Sequence, residues 1–432
     1  MATSPKAFLI ELYREYLEDA SFLYDQRRAL LADPEISWRD LDSFDERLEA
    51  CLDGLVVGGD LGIDVCKDRL ENGDAGEVYA AIRVLCRQGR KETVLETRNK
   101  LTPDEPERLI AIADALKQDC PEAWLDDLAE LDFAGERGDA QLMLFARIVG
   151  HRRWKRAAAK LAGALPNAGP EAIPEILWAM GRTGSAETRR VLTAHLKDAN
   201  ERVRQSAADA LLSLHDSSVG SLLSAAKEPW AMRITTLAGG EAKSAIAYGT
   251  TPAPDASAET ILALGLNGKV RVVPILLNSL GMSKQPAACA QALDLILGAG
   301  VRETVFVPEP KAADSNGPDS SPELRPDGKP YGSTITRLAF DPNSWRKWWE
   351  EYGRNFDPSI RYRLGRTWSL DAVLATIEQD YMPWTIRQWC VQEFRMHSGY
   401  DWDFEIDMPV AQQLTALSAA RSWIRANAVQ SP

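Results

Sequence analysis

The sequence predicts an all-α fold: an α-solenoid of stacked helical hairpins, closed by a helical N-terminal cap and a Trp-rich helical C-terminal cap. Three observations carry this reading. The stretch 200–227, NERVRQSAADALLSLHDSSVGSLLSAAK, reads as two short helices whose apolar stripes a lone hairpin cannot bury. A small-or-apolar pair closing a first helix recurs before Cys86, Lys117, Gly150, Gly181, Leu212, Gly239, Gly265 and Gly298, at intervals of 31, 33, 31, 31, 27, 26 and 33 residues. Finally, 432 residues exceed the size at which single cores usually divide, a limit that stacked repeats escape because each unit contacts only its neighbours.

Residues 1–60 read as the N-terminal cap. Phe8, Leu9, Leu12, Tyr16, Leu17, Ala20, Phe22 and Leu23 give one amphipathic helix, and Asp33-Pro34 ends it. A second runs from about Asp40 with Leu41, Phe44, Leu48 and Leu52 inward, and Gly54 and Gly58-Gly59 stop it. Residues 61–307 form the repeats. In the 200–227 unit, Asn200 caps a helix that buries Val203, Ala207, Ala210, Leu211 and Leu214. His215-Asp216-Ser217-Ser218 breaks it and starts a second, with Val219, Leu222, Leu223 and Ala226 inward. Glycine at several repeat closures fits a left-handed helix C-terminus. The two short intervals, Gly239-Gly240 and the loop 249–257 predict an irregular centre. Residues 308–334, rich in Pro, Gly, Ser and Asp, read as a flexible loop or linker, preceded by a brief extended piece at Thr304–Val307. Residues 335–432 hold eight of the thirteen tryptophans, with helices starting at Asp341-Pro342 and spanning Pro383 to His397.

Charge and composition narrow the function. The 45% apolar and 26% charged content is ordinary for a globular protein, while net charge −13 and pI near 5.0 are a poor start for gripping phosphate backbones. The N-terminal residues lack a basic region followed by an apolar core, and no run of about 18 apolar residues spans a bilayer. Cys51, Cys66, Cys86, Cys120, Cys289 and Cys390 are scattered and form no C-x-x-C pair, which predicts reduced thiols and a cytoplasmic protein.

Catalytic constellations are not visible. His151, His195, His215 and His397 stand apart from one another, and no G-x-S-x-G elbow, P-loop or strand-linked glycine fingerprint occurs. No cofactor and no metal are therefore expected, and the chain reads as a non-enzymatic binder of a protein client. The candidate protein-binding residues are Trp345, Trp348, Trp349, Arg361, Tyr362, Arg363 and Arg366, since Trp, Tyr and Arg dominate interface hot spots. An alternative is a nucleic-acid-binding or processing protein using the basic run Arg152, Arg153, Trp154, Lys155 and Arg156. Pairing of that run with acids on adjacent helices, such as those between Glu122 and Asp139, is the simpler expectation.

The run Val203-Arg204-Gln205-Ser206-Ala207-Ala208-Asp209-Ala210-Leu211 resembles HEAT-like repeats of the phycobilisome-lyase type. HEAT-like iron hydroxylases use repeated His-Glu pairs, which this chain lacks. Over nearly its whole length the chain also resembles a family of uncharacterised bacterial HEAT-repeat proteins often encoded among type VI secretion genes. Leu41 with Asp45-Glu46-Arg47-Leu48-Glu49-Ala50, then Leu52-Asp53-Gly54-Leu55 and Gly73-Asp74-Ala75-Gly76-Glu77-Val78, carry this resemblance. Trp348-Trp349 and Arg361-Tyr362-x-x-Gly365 carry it at the other end. It implies an adaptor or chaperone for a secretion effector or tip component, or an immunity protein binding a toxin. It supplies no catalytic residues.

Overall fold

A computed structural model describes residues 4–102, 104–130, 135–184, 186–239, 256–309, 325–326 and 330–428. The chain is mostly helical, with twenty-one α-helices among the described residues. It divides into two compact units: Met1–Val219 with Leu374–Pro432, and Gly220–Val373.

The first unit opens with α1 (Pro5–Leu31), α2 (Asp42–Val57) and α3 (Gly59–Asn72). Ser4 caps α1, with its hydroxyl accepting from the Ala7 amide at 3.2 Å. The helix α2 runs through Gly54, which faces the Tyr16 ring closely, and ends only at Val57. These three helices pack on α4 (Ala75–Arg87), where Asp74 and Glu77 form a reciprocal capping box. Covered in this way, α4 is buried continuously from Gly76 to Cys86.

Helices α5 (Lys91–Lys100), α6 (Pro106–Asp119), α7 (Leu125–Ala129), α8 (Gly135–Arg152), α9 (Ala158–Ala164), α10 (Ala172–Thr183), α11 (Ala186–His195), α12 (Glu201–Ser213) and α13 (Ser218–Leu223) follow. The chain alternates between two roles. Helices α4, α6, α8, α10 and α12 pack in sequence, each on the next, while the intervening elements cover them. In the 200–227 stretch, Asn200 caps α12 and Asp216 accepts from the Ser218 amide at 3.0 Å, as the residue types predict. Leu222 departs from the expected stripe: it is 52% exposed because α13 is only one and a half turns long.

The second unit contains α14 (Pro229–Leu237), α15 (Ala258–Asn267), α16 (Val273–Leu280), α17 (Pro286–Leu297) and α18 (Pro342–Tyr352). Helices α14, α15 and α17 pack in sequence around a core that includes Ile261, Leu276, Leu293, Ile296 and Trp345. Two small sheets qualify the all-α expectation. Strands β1 (Arg302–Pro308) and β2 (Gly332–Leu338) pair antiparallel from Arg302↔Leu338 to Pro308↔Gly332, so the ends of the expected 308–334 loop belong to a ribbon. Residues 310–324 and 327–329 of that loop, and 240–255 of the expected irregular centre, lie outside the described residues. Strands β3 (Tyr362–Arg363) and β4 (Arg366–Thr367) make a tight hairpin whose turn residues Leu364 and Gly365 both have positive φ.

All eight counted closures fall within two residues of a helix end, at α4, α6, α8, α10, α12, α14, α15 and α17. The reason for glycine there differs from the one expected. Gly239 and Gly298 are left-handed, but Gly150, Gly181 and Gly265 lie inside helices. A Cβ at Gly181 would sit 2.5 Å from Ala210 Cα, and one at Gly265 would sit 2.7 Å from Ala292 Cα. At these positions glycine serves the close approach of successive helices.

The C-terminal part continues with α19 (Leu370–Ile377), α20 (Trp384–Ser398) and α21 (Val410–Ala428). In the first unit α20 packs on α12, and α21 packs on α2 and on the short turn Trp38–Leu41. The N-terminal and C-terminal helices thus share one unit.

Candidate functional site

The connection between α20 and α21 is the most heavily engaged irregular segment of the first unit. Gly399, at φ +64°, ends α20 in the left-handed conformation. The sequence then alternates strictly: Asp401, Asp403, Glu405 and Asp407 are interleaved with Trp402, Phe404 and Ile406. Hydrogen bonds from the Trp402 amide to Tyr400 O (2.7 Å) and from the Phe404 amide to Trp402 O (3.1 Å) close successive three-residue turns. Burial alternates with sequence, so the three apolar side chains are buried and the acids face the other way. Trp402 stacks on Phe404 at 4.5 Å between centroids, and its Nε1 donates to Ala416 O at 2.9 Å.

Each acid-side contact comes from a different helix or its end. Arg153, just beyond α8, pairs with Asp401 and donates to Trp402 O. Arg182 on α10 pairs with Glu405, which also lies 3.1 Å from Arg395 of α20. Lys117 on α6 holds Asp407 at 2.5 Å, and Arg27 on α1 donates to the Asp407 and Met408 carbonyls at 3.1 and 2.8 Å. Asp45 completes the end of the segment: it accepts from Arg27 at 2.5 Å and from the Val410 amide at 2.8 Å, capping α21.

Burial alone would raise these carboxyls, but the surrounding cations outweigh it. Arg182, Arg395 and His151 hold the Glu405 carboxyl down at about 2, and Lys117 and His151 depress Asp407 further still. Burial lowers the Lys117 ammonium, yet Asp407 and Asp114 together raise it above its ordinary value. His151 is pushed down to about 4 by burial and by Lys117, so it is neutral near pH 7. Its ring meets Trp178 edge-on at 5.1 Å.

Two clefts, of about 300 and about 410 Å³, flank the segment and share Lys117, Gln118, Asp407 and Pro409. The first is walled by Tyr24 stacked on Tyr79 at 3.9 Å, with Trp384 at its rim. Tyr24 Oη donates to Asp114 at 2.9 Å. The second opens beside His151, Arg152, Arg153 and Asp401. Each cleft sets cations beside acids: Arg27, Arg28, Arg83 and Lys117 with Asp45, Glu49, Asp114 and Asp407 in the first, and Lys117, Arg152 and Arg153 with Asp401, Asp403, Glu405 and Asp407 in the second. All six cysteines are free, five are buried, and burial pushes the Cys66 thiol to about 12 and Cys120 to about 11, far from a reactive thiolate. No group of three or more His, Cys, Asp or Glu suited to a metal ion occurs among the described residues.

The basic run finds its acids elsewhere than expected. Arg153 pairs with Asp401, and Lys155 lies 3.7 Å from the same carboxylate, rather than with the acids of 122–139. Arg152 donates to Cys120 O, and Trp154 is buried edge-on against Phe145, with Arg156 at 6.0 Å from its ring.

The Trp/Arg candidates of the second unit divide by position. Trp345 is fully buried and donates to Ala339 O at 2.8 Å. Arg363 is fully buried and caps α15 by donating to Leu266 O at 2.9 Å, while Arg361 donates to Asn267 O at 3.0 Å. Tyr362 is buried, and its Oη accepts from the Asp357 amide at 2.8 Å. The hairpin turn after it caps α17: Leu364 and Gly365 amides donate to Leu295 and Ile296 carbonyls at 2.7 and 3.0 Å. Trp348 and Trp349 are half-buried against Phe356, and Arg366 is exposed. Trp345, Tyr362 and Arg363 thus support the unit from inside, leaving Trp348, Trp349, Arg361 and Arg366 with surface to offer. Compared with protein-family models, with curated proteins and with solved structures, the chain matches none.

Proposed function

We propose that this protein is a non-enzymatic scaffold of HEAT-like hairpins, an α-solenoid whose successive helices bind one irregular chain segment of a protein client. The observation that carries it is the row formed by Arg27, Lys117, Arg153 and Arg182, drawn from α1, α6, the turn just beyond α8, and α10, and facing a single irregular segment. Helical repeats that present one contact per unit along a common face suit a partner that runs across them. The resemblance noted from sequence makes a type VI secretion effector or tip component the client to look for, with the protein acting as cytoplasmic adaptor, chaperone or immunity partner. Arg152 and Arg153 already have partners within the chain, which speaks against a nucleic-acid groove at that run.

The experiment is affinity isolation of the tagged protein from its native host, with nuclease treatment of half the sample and identification by mass spectrometry. A client recovered in stoichiometric amount and insensitive to nuclease is the expected result. Recovery of nucleic acid alone would overturn the reading.

A further inference from the structure

The contacts on Asp401–Met408 are of two kinds. Side chains donate to its backbone carbonyls: Arg153 and Arg395 to Trp402, Arg395 to Phe404, and Gln413 to Ile406 and Met408, alongside Arg27. Every residue has a carbonyl, so these bonds favour an irregular chain whatever its sequence. Selectivity comes from the cations, which meet Asp401, Glu405 and Asp407, and from the burial of Trp402, Phe404 and Ile406 between them.

We propose that Asp401–Met408 is an exchangeable internal ligand. On the scaffold reading above, the client presents a segment of the same chemistry, with acids at alternate positions around bulky apolar residues. That segment takes the place of this one against Arg27, Lys117, Arg153 and Arg182. Trp402 and Phe404 are buried, Trp402 against Phe394 of α20 and bonded to Ala416 O of α21, so an incoming segment has to supply bulky residues in their place. The internal segment's leading end is already open: the Asp401 and Lys155 side chains are 69% and 70% exposed, beside the cleft of about 410 Å³. An emptied groove would leave buried cations unpaired, which is costly, so exchange of like for like is the accessible route. A chain of net charge −13 otherwise repels acidic partners, and the internal segment keeps the attractive row masked until a competitor arrives.

The test uses the full chain and a fluorescein-labelled peptide, DWDFEIDMP, with a control in which its acids are Asn or Gln. Glu405→Gln with Asp407→Asn loosens the anchored half, and Asp401→Asn with Asp403→Asn changes only exposed carboxylates. The acidic peptide should bind the first variant about tenfold and the second about threefold more tightly than the unaltered protein, and salt should weaken both. The control peptide should not bind. Equal binding by all three proteins, or none to any while circular dichroism shows them folded, overturns the exchange. If the first variant unfolds, the second decides: a rise sustains the proposal and no change defeats it. A client that the unaltered protein and both variants retain alike, without competition from the peptide, defeats exchange and spares the scaffold. No client with any of them defeats the scaffold itself.

Discussion

Lys117 and Asp407 lie 290 residues apart in sequence, and the ammonium sits 2.5 Å from the carboxylate. The pair joins α6 to the α20–α21 connection, and Asp114, one turn before Lys117, lies 3.2 Å from the same ammonium. Truncating one partner of such a pair costs more than removing both, because the survivor remains desolvated and unpaired. Lys117→Met should lower stability by about 2 kcal/mol, less than for a fully buried pair because the Asp407 side chain keeps 36% of its surface in solvent. Lys117→Met with Asp407→Leu should recover part of that loss. Urea midpoints of the two variants check it, and a double variant worse than the single would sink the account.

Acid should destabilise the protein in two stages. His151 titrates near 4 in the fold against about 6.5 when unfolded, so the unfolded chain binds more protons between those values. Stability from this source is complete above about pH 6.5 and is lost as pH falls toward 4. Glu405, held at about 2, adds a further loss as pH drops below the ordinary carboxylate value near 4.3. His151→Gln should flatten the urea midpoint between pH 6.5 and 4, roughly, while leaving the steeper fall below it. An unchanged profile in that variant would assign the first stage to another group.

The helix-to-helix glycines and a solvent-facing one should respond with opposite signs. Gly181→Ala drives a methyl into Ala210 backbone, which cannot yield as a flexible side chain would, and should cost about 1–3 kcal/mol. Gly163 lies within α9 with open space where its Cβ would point, and Gly163→Ala should gain up to about 1 kcal/mol. Thermal melts of the two variants decide between packing and capping roles for the repeat glycines.

Within the Trp-rich stretch, Trp345→Ala should cost about 3–5 kcal/mol, since it empties the core and orphans the Ala339 carbonyl. Trp348→Ala with Trp349→Ala should keep circular dichroism intact and cost less, because both rings are only half-buried. If the second variant folds and still holds its client with full affinity, that surface is no hot spot.

The helical part of the fold was legible in the sequence because its signal is local. Closures such as Cys86 and Lys117 recur within one period, and Asn200 and Asp341 announce helix starts within three residues. The ribbon was half visible: Thr304–Val307 reads as extended, but its partner Gly332–Leu338 lies beyond a polar stretch that hides the pairing. The groove was missed for a different reason. Its signal, acids alternating with Trp402, Phe404 and Ile406, spans only seven residues, and an alternation that short among acids resembles a solvated loop. What distinguishes it are Arg27, Lys117, Arg153 and Arg182, which lie 223 to 381 residues away from their partners. The Arg361-Tyr362-x-x-Gly365 run shows the converse: its residue types suggest a surface, yet its guanidiniums and amides close the carbonyl ends of α15 and α17.

The segment that completes the groove is made after the helices α1, α6, α8 and α10 that supply its cations. A ribosome adding roughly 5–20 residues per second needs about 10–45 s to travel from Arg182 to Glu405, 223 residues on. During that interval the early helices stack with their cations facing water or whatever acid is at hand, and the intervening unit is synthesised before α20 emerges. The nascent chain therefore passes through a stage in which Lys117, Arg153 and Arg182 lack their internal acids. Under the proposed scaffold function, an acidic partner present at this stage would meet no internal competitor, and the order of synthesis would become a means of loading.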